Sequence, residues 1–381
     1  MRILHTSDWH LGRSFHRESL LAGQAAFVDH LVETVRAERV DVVAVAGDVY
    51  DRALPPVDAV ALLDEALARL RAAGARVVLI SGNHDSALRL RFGSALFEAA
   101  GVHVRTSPEQ AWEPVVVDGV AFYGIPYLEP ELVRAAWELP DRSHTAAITH
   151  AMERVRASSA GQRASVVLSH CFVTGGQASD SERDISVGGV AHVPLSAFHG
   201  VDYVALGHLH GRQRMSETVR YSGSPLAYSF SEVGQLKGSW LVTLDPDTRS
   251  DPQEGSVVGV EFVPAPVPRP VGRLRGELEE LLTFPKYDPY EDHWLHITLT
   301  DAVRPKSAMD RLRARFPHTL ALAFDPVGAT PAAQPVRLSG RPEAEVALDF
   351  VREVRGEPAA PDEEDLLRQA IEASRVKETM A

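Results

Sequence analysis

The sequence predicts an α/β protein with its sheets covered by helices on both faces. Three observations predict it. Short β-branched apolar runs recur through residues 1–245; stretches of helical periodicity separate them; and a smaller unit of the same kind follows a Pro-rich connector.

The strand candidates, in order, are "RILHTS", "VDVVAVAGD", "ARVVLISGN", "VAFYGIPY", "ASVVLSHCFV", "VDYVALGHLH" and "SWLVTLD". Helical periodicity is clearest in 19–38, 56–73 and 86–100. The stretch 246–270 is rich in Pro, Asp and Gly, and "PAPVPRP" reads as a stiff connector. Beyond it come a helix at "GELEELL", a strand at "HWLHITL", a helix at "KSAMDRLRARF" and a strand at "TLALAF". From 342 the composition turns acidic. Val346, Phe350, Val351 and Val354 share one helical face. Pro361 then stands at a first helical position, with Asp362, Glu363 and Glu364 complementing the helix dipole. Leu366, Leu367, Ala370 and Ile371 give that second helix its apolar stripe. Two such helices either pack on their own domain or dock a partner, and the pattern leaves both open. The expected division is a main domain over 1–265, a small α/β capping domain over 266–338 and a helical segment over 339–381.

Composition narrows the class. The chain of 381 residues is 45% hydrophobic and 24% charged, ordinary for a globular protein. Its formal net charge of −13 argues against a surface that grips nucleic acid everywhere, although a basic groove or a bound metal can supply a local positive field. One cysteine, Cys171, excludes an intrachain disulfide and fits a reducing compartment. "MRILHTSDWH" runs straight into a strand-like pattern without a signal-peptide layout, and no apolar run approaches the roughly 20 residues that span a bilayer. The expectation is a soluble cytoplasmic protein.

Five segments share one layout, an apolar strand ending in His, Asp or Asn. They carry Asp8 and His10; Asp48 and Asp51; Asn83, His84 and Asp85; His170; and His208 and His210. Ligands of α/β sheets bind beyond the carboxyl ends of the strands, so five such ends can supply one pocket. A lone His at a strand end is usually a structural hydrogen-bonder; five polar ends in one chain are not explained that way. Carboxylate, imidazole and amide oxygen without thiolate suit Mn²⁺, Fe²⁺ or Zn²⁺. One Zn²⁺ needs only three or four ligands, so the surplus predicts two ions sharing a carboxylate. Cys171 reads as a small buried hydrophobe rather than a nucleophile.

The ordered set D-x-H, G-D-x-x-D, G-N-H-D, H and G-H-x-H resembles the signature of the calcineurin-like metallophosphoesterases. "TSDWHLGRSFH", "GDVYDRALPP", "SGNHDS", "SERDISVGG", "LGHLHG" and "YSGSPLAYSFSE" narrow the resemblance to the SbcD family, the nuclease subunits of bacterial SbcCD complexes. It is strong over 1–245 and looser beyond. It implies a sandwich of two sheets flanked by helices. It implies one metal on Asp8, His10, Asp48 and His210, and a second on Asp48, Asn83, His170 and His208, with Mn²⁺ the expected ion at both. His84 would stay off the metals and serve the leaving oxygen, with Asp51 orienting it.

The resemblance further implies exonuclease and endonuclease action at DNA ends and hairpins, in repair, recombination and replication. The implied partners are a second copy of the chain and an SMC-like ATPase, SbcC, docked on the C-terminal helices of a heterotetramer. His16, Arg17, Ser181 and Arg183 are candidate substrate contacts. Arg269, Arg273, Arg275, Arg304, Lys306, Arg311, Arg313 and Arg315 are candidate phosphate contacts. Two other readings compete: a phosphodiesterase of the same fold acting on nucleotides or phosphoproteins, and a non-catalytic DNA-end scaffold.

Overall fold

The apolar runs become the strands of two six-stranded sheets. The computed structural model describes residues 1–183, 185, 192–247, 256–326, 343–355 and 357–379. Contacts divide the chain into Met1–Phe324 and Asp325–Ala381.

In the first sheet the order is Val257–Pro264, Gly238–Leu244, Arg2–Thr6, Val42–Ala46, Arg76–Ile80, Val102–Arg105. The last four are mutually parallel, and Gly238–Leu244 runs antiparallel to both of its neighbours. In the second it is Gln213–Arg214, Val219–Tyr221, Tyr203–Gly207, Ala164–His170, Val120–Ile125, Val115–Val117, parallel across the middle four.

Alternation along each strand sorts side chains into three layers. Ile3, Val78, Ile80, Phe122, Val166, Leu168 and Ala205 fill the space between the sheets. Leu4, Val43, Val45 and Leu79 pack under helices Leu21–Glu38 and Val57–Ala72, against Phe27, Leu31, Leu63 and Leu70. Tyr123, Val167 and Leu206 meet Ile148, Met152 and Val155 of helix His144–Ser159. The result is a helix–sheet–sheet–helix sandwich. Each buried Leu, Ile or Phe contributes about 1.5–3 kcal/mol.

His5 sits between the sheets, fully buried, with Nε2 3.0 Å from the Leu206 carbonyl and Nδ1 3.0 Å from the Tyr203 hydroxyl. The carbonyl can only accept, so Nε2 carries the proton and Tyr203 donates to Nδ1. Burial pushes its pKa down to about 3 and keeps it neutral.

The structure departs from expectation in three places. The connector contains a strand, Val257–Pro264, on the edge of the first sheet, where the Pro residues around it can be tolerated. The helix expected over 86–100 is two, Ala87–Leu90 and Ser94–Ala99, because Gly93 turns left-handed between them. "VGRLRG", read only for its arginines, is the strand Val271–Gly276.

That strand heads a parallel three-stranded sheet with Trp294–Leu299 and Thr319–Phe324. Helices Leu278–Thr283 and Ala308–Arg315 cover it over Leu274, Leu281, Ile297, Leu312 and Phe316. Several of the expected phosphate contacts are committed to this small fold. Arg315 donates to the Leu281 and Phe284 carbonyls at 2.8 and 3.1 Å and pairs with Glu291 and Asp288. Arg313 donates to the Thr319 carbonyl, and Arg311 pairs with Glu279. Phe15, Leu20, Leu226, Tyr228 and Phe230 join this sheet to the sandwich, packing on Val271, Trp294 and Leu320.

In the second unit, helices Glu343–Arg355 and Pro361–Thr379 are linked by a bidentate pair, Arg355 to Glu363 at 2.7 and 3.0 Å. Phe350, Val354 and Leu366 are exposed. Among the described residues no helix is long and apolar enough to cross a membrane.

Candidate metal centre

Five parallel strands, three from the first sheet and two from the second, end at one point. Two of the turns that follow them demand glycine. Gly47 has φ +89°, and a Cβ there would strike the His170 ring; a Cβ on Gly82 would strike the Asp48 carboxylate. Small residues thus let the strand ends close on one another. Asp8, His10 and Asp48 take φ of 54°, 44° and 46°, and His208 takes 108°. Such backbone costs about 1–3 kcal/mol per residue and marks sites where geometry serves function.

All seven expected ligands meet there, and Asp8, His10, Asp48, His170, His208 and His210 are buried. His10 Nε2 lies 3.1 Å from His210 Nε2 and 3.5 Å from Asp48 Oδ2. His170 Nε2 lies 3.6 Å from Asp48 Oδ2 and 3.0 Å from Asn83 Oδ1, which is 3.1 Å from His208 Nδ1. Asp8 accepts from the His208 amide at 3.0 Å and from the Ser7 hydroxyl at 2.5 Å.

The electrostatics are those of a site built around positive charge. Burial, then the neighbouring Asp48 carboxylate, holds the Asp8 pKa well above the usual carboxylate range. Burial holds His10 and His208 well below the ordinary imidazole value, with other imidazoles adding to the effect, and lowers His170. These imidazoles are therefore neutral, the form that binds cations, and the crowding that raises Asp8 is one a bound cation would relieve.

His84 Nδ1 is 2.8 Å from the Asp51 carbonyl oxygen, and its Nε2 faces the cluster 4.0 Å from Asp48 Oδ2. The partnership with Asp51 therefore runs through the main chain and not through the carboxylate expected from the sequence. That carboxylate lies 3.6 Å from His10 Nδ1 and accepts from Arg13 at 3.2 Å. Asp85 accepts the amides of Gly82, Val49 and Tyr50 at 2.8–3.0 Å and so ties the turns that carry Asp48 and Asn83 together. Burial, then Asp48, raises its pKa to about 7. Cys171 is buried and its thiol is pushed up to about 12, which leaves it unreactive.

The expected substrate contacts divide. His16 and Arg17 are exposed at the tip of the hairpin Ser14–Phe15/Glu18–Ser19, with φ of 48° and 75°. Arg183 is exposed, its Nη1 3.5 Å from the Asn83 carbonyl. Ser181 instead turns inward: its hydroxyl is 2.5 Å from His210 Nδ1 and 2.6 Å from Glu232 Oε1. Sequence reasoning missed several supporting residues. Tyr228 donates to the Trp9 carbonyl at 2.6 Å, and Gln24 Nε2 to the His10 carbonyl at 2.7 Å. Glu182 accepts the His210 amide at 2.7 Å. "YSGSPLAYSFSE" held the signal for Tyr228 and Glu232.

Residues 1–212 match the family model of the calcineurin-like phosphoesterases. The chain belongs to that family. Residues 267–355 of this phosphoesterase match the SbcD C-terminal domain, described as the type 5 capsule protein repressor C-terminal domain. Together the two matches are those of an SbcD-type protein. Among solved structures it is similar to a Thermus thermophilus protein at 13% identity, covering 69% of this chain and 98% of that one, with a TM-score of 0.39. It is also similar to a dimetal phosphatase from Danio rerio at 16% identity, covering 64% and 92%, with a TM-score of 0.37.

The residues of this metallophosphoesterase fit divalent metal ions. Asp8, His10 and His210; His10, Asp48 and His84; and Asp8, Asp48 and His170 each bring ligand atoms within 4.8 Å of one another. His10 Nε2 and His210 Nε2 face each other across a gap that a cation would satisfy better than either ring. Asn83 offers its carbonyl oxygen to the cluster while its Nδ2 finds no partner among the described residues.

Proposed function

We propose that this phosphoesterase is a metal-dependent DNA nuclease, the D subunit of an SbcCD-type complex that cuts phosphodiesters at DNA ends and hairpins. The reading is carried by one observation: a buried cluster of His and Asp side chains able to hold metal and the SbcD C-terminal domain stand on the same chain. One ion, Mn²⁺ by preference, would be held by Asp8, His10, Asp48 and His210. The other would be held by Asp48, Asn83, His170 and His208. Bound there, two ions supply charge neutralisation for the phosphate and a nucleophile from water near neutral pH.

The remaining work falls to the chain. His84 donates Nδ1–H to the Asp51 carbonyl, which leaves Nε2 as the nitrogen that faces the site. In its protonated form that nitrogen hands a proton to the departing sugar oxygen. Asn83 completes a ligand shell without adding negative charge against an anionic substrate. His16, Arg17 and Arg183 stand at the exposed rim as contacts for the DNA backbone.

The test is manganese-dependent cleavage of labelled duplex and hairpin DNA, beside bis-p-nitrophenyl phosphate and cyclic AMP, repeated with the ATPase and ATP. DNA cleavage is the expected result. Cleavage of cyclic AMP with DNA untouched in both series would replace this reading with the nucleotide phosphodiesterase.

The assembly follows from exposed apolar faces. Leu88 and Leu96, on the two short helices after the G-N-H-D turn, and Phe92, in the turn between them, are 68%, 79% and 84% exposed, a group of large apolar side chains left in water. They form the interface of a homodimer. The helices of 339–381 dock the SMC-like ATPase. Light scattering of the full chain and of a chain ending at 341 should show dimers in both cases. Only the full chain should bind the ATPase. A monomer at micromolar concentration would contradict the first statement, and co-elution of the truncated chain with the ATPase the second.

A further inference from the structure

On the Nδ1 side of His210 stands a buried ion pair that the chemistry above does not use. Glu232 and Lys237 are 1% and 5% exposed, and their side chains pair directly. A buried ion pair is a poor source of stability, because desolvation offsets the attraction. Its position beside a ligand histidine supplies another reason for its presence.

The pair grips His210 from two directions. Lys237 Nζ donates to the His210 carbonyl at 2.8 Å, and to Ser224 Oγ and Gln235 Oε1 at 3.0 Å each. Glu232 Oε1 accepts the Ser181 hydroxyl at 2.6 Å, and the Ser181 oxygen lies 2.5 Å from His210 Nδ1. Because the carboxylate takes the hydroxyl proton, Ser181 must accept from the ring. Nδ1 therefore carries the hydrogen of His210, and Nε2 keeps its lone pair for the cluster. Glu182 Oε1 closes a third point by accepting the His210 amide at 2.7 Å.

We propose that Glu232, acting through Ser181, and Lys237, acting on the His210 carbonyl, are positioning residues that fix the tautomer and direction of His210 and so set the affinity of one ion of the pair. This rests on the reading of His210 as a metal ligand. The other ligand rings are held differently. His170 Nδ1 donates to the Ala46 main-chain carbonyl at 2.9 Å, while His10 Nδ1 meets the Asp51 carboxylate only at 3.6 Å. A carboxylate behind a ligand imidazole makes it more basic and fixes its orientation, and losing such a partner typically weakens metal binding about 10–100-fold. The relay acts on the ion bound by Asp8, His10 and His210 and not on its neighbour.

The experiment titrates Mn²⁺ into the metal-free full chain by calorimetry and follows the Mn²⁺ spin-resonance spectrum. Ser181→Ala is compared with the double variant Glu232→Gln/Lys237→Met, which removes both charges together and leaves neither ion buried alone. His210→Ala and His208→Ala are the controls, and melting of each metal-free protein reports its folding. The expected result is two binding steps in the wild type. One of them should be weakened about 10–100-fold in both test variants, with the coupled two-ion signal giving way to a single-ion signal at stoichiometric metal. Ser181→Ala, which deletes one hydroxyl, decides the matter if the double variant does not fold. Folded variants that bind both ions as the wild type does overturn the relay while His210→Ala still loses a step. Two unchanged steps in His210→Ala overturn the ligand reading itself, and the relay with it.

Discussion

Asp48→Ala loses activity and metal-dependent stabilisation together. Asp48 Oδ2 lies within 3.6 Å of the Nε2 atoms of both His10 and His170, so one side chain serves both halves of the site. Its loss should cost several kcal/mol of charge stabilisation, a fall of more than about a thousandfold in phosphodiester cleavage. The stability readout separates this from misfolding. Wild-type protein gains about 2.7 kcal/mol when free metal reaches a hundred times its dissociation constant, and the variant gains far less. Without metal the variant loses the acceptor of the His84 amide, a 2.9 Å bond. It also relieves the repulsion that raises Asp8 and Asp85. These effects oppose, so the metal-free forms should melt within a few degrees of each other. Melting curves with and without Mn²⁺ check this, and equal metal stabilisation in both proteins would remove Asp48 from the site.

His84→Ala fails differently. The ring sits between the cluster and the Asp51 carbonyl, edge-on to His10 with ring centres 4.6 Å apart. It is the histidine of the site that the ligand assignment leaves over. Removing a general acid of this kind costs about 10²–10⁴ in rate, whereas both metal-binding steps should persist. Calorimetry and cleavage on one preparation decide it. Full activity of a folded His84→Ala protein would show that the leaving oxygen departs without it. Loss of a metal step would make it a ligand.

The two predictions also show what the sequence could and could not reveal. The candidate ligands are legible because each lies in a short run at the end of an apolar strand, next to a residue small enough for neighbouring strand ends to meet. Gly47 and Gly82 are required there by contacts with His170 and Asp48, and those requirements leave their trace as G-D and G-N. The supports were not legible. Glu232 and Lys237 reach His210 only because a loop after the second sheet folds back behind it, and no periodicity announces that contact. For Asp51 a sequence shows the carboxylate, while the hydrogen bond to His84 is made by the main-chain carbonyl. Ser181 reads as a rim contact until the structure turns its hydroxyl inward. Arg313 and Arg315 read as a basic patch until their partners, three of them main-chain carbonyls on other elements, come into view. The edge strand Val257–Pro264 hid beside prolines.

The central claim is a pair of ions sharing Asp48. The measurement that tests it most directly is anomalous diffraction at the manganese edge from crystals of the full chain grown with Mn²⁺. The account predicts two peaks about 3.5–4 Å apart, both within bonding distance of Asp48. One should be completed by Asp8, His10 and His210, the other by Asn83, His170 and His208, with His84 bonded to neither. A single peak, or a pair with no shared bond to Asp48, would contradict it.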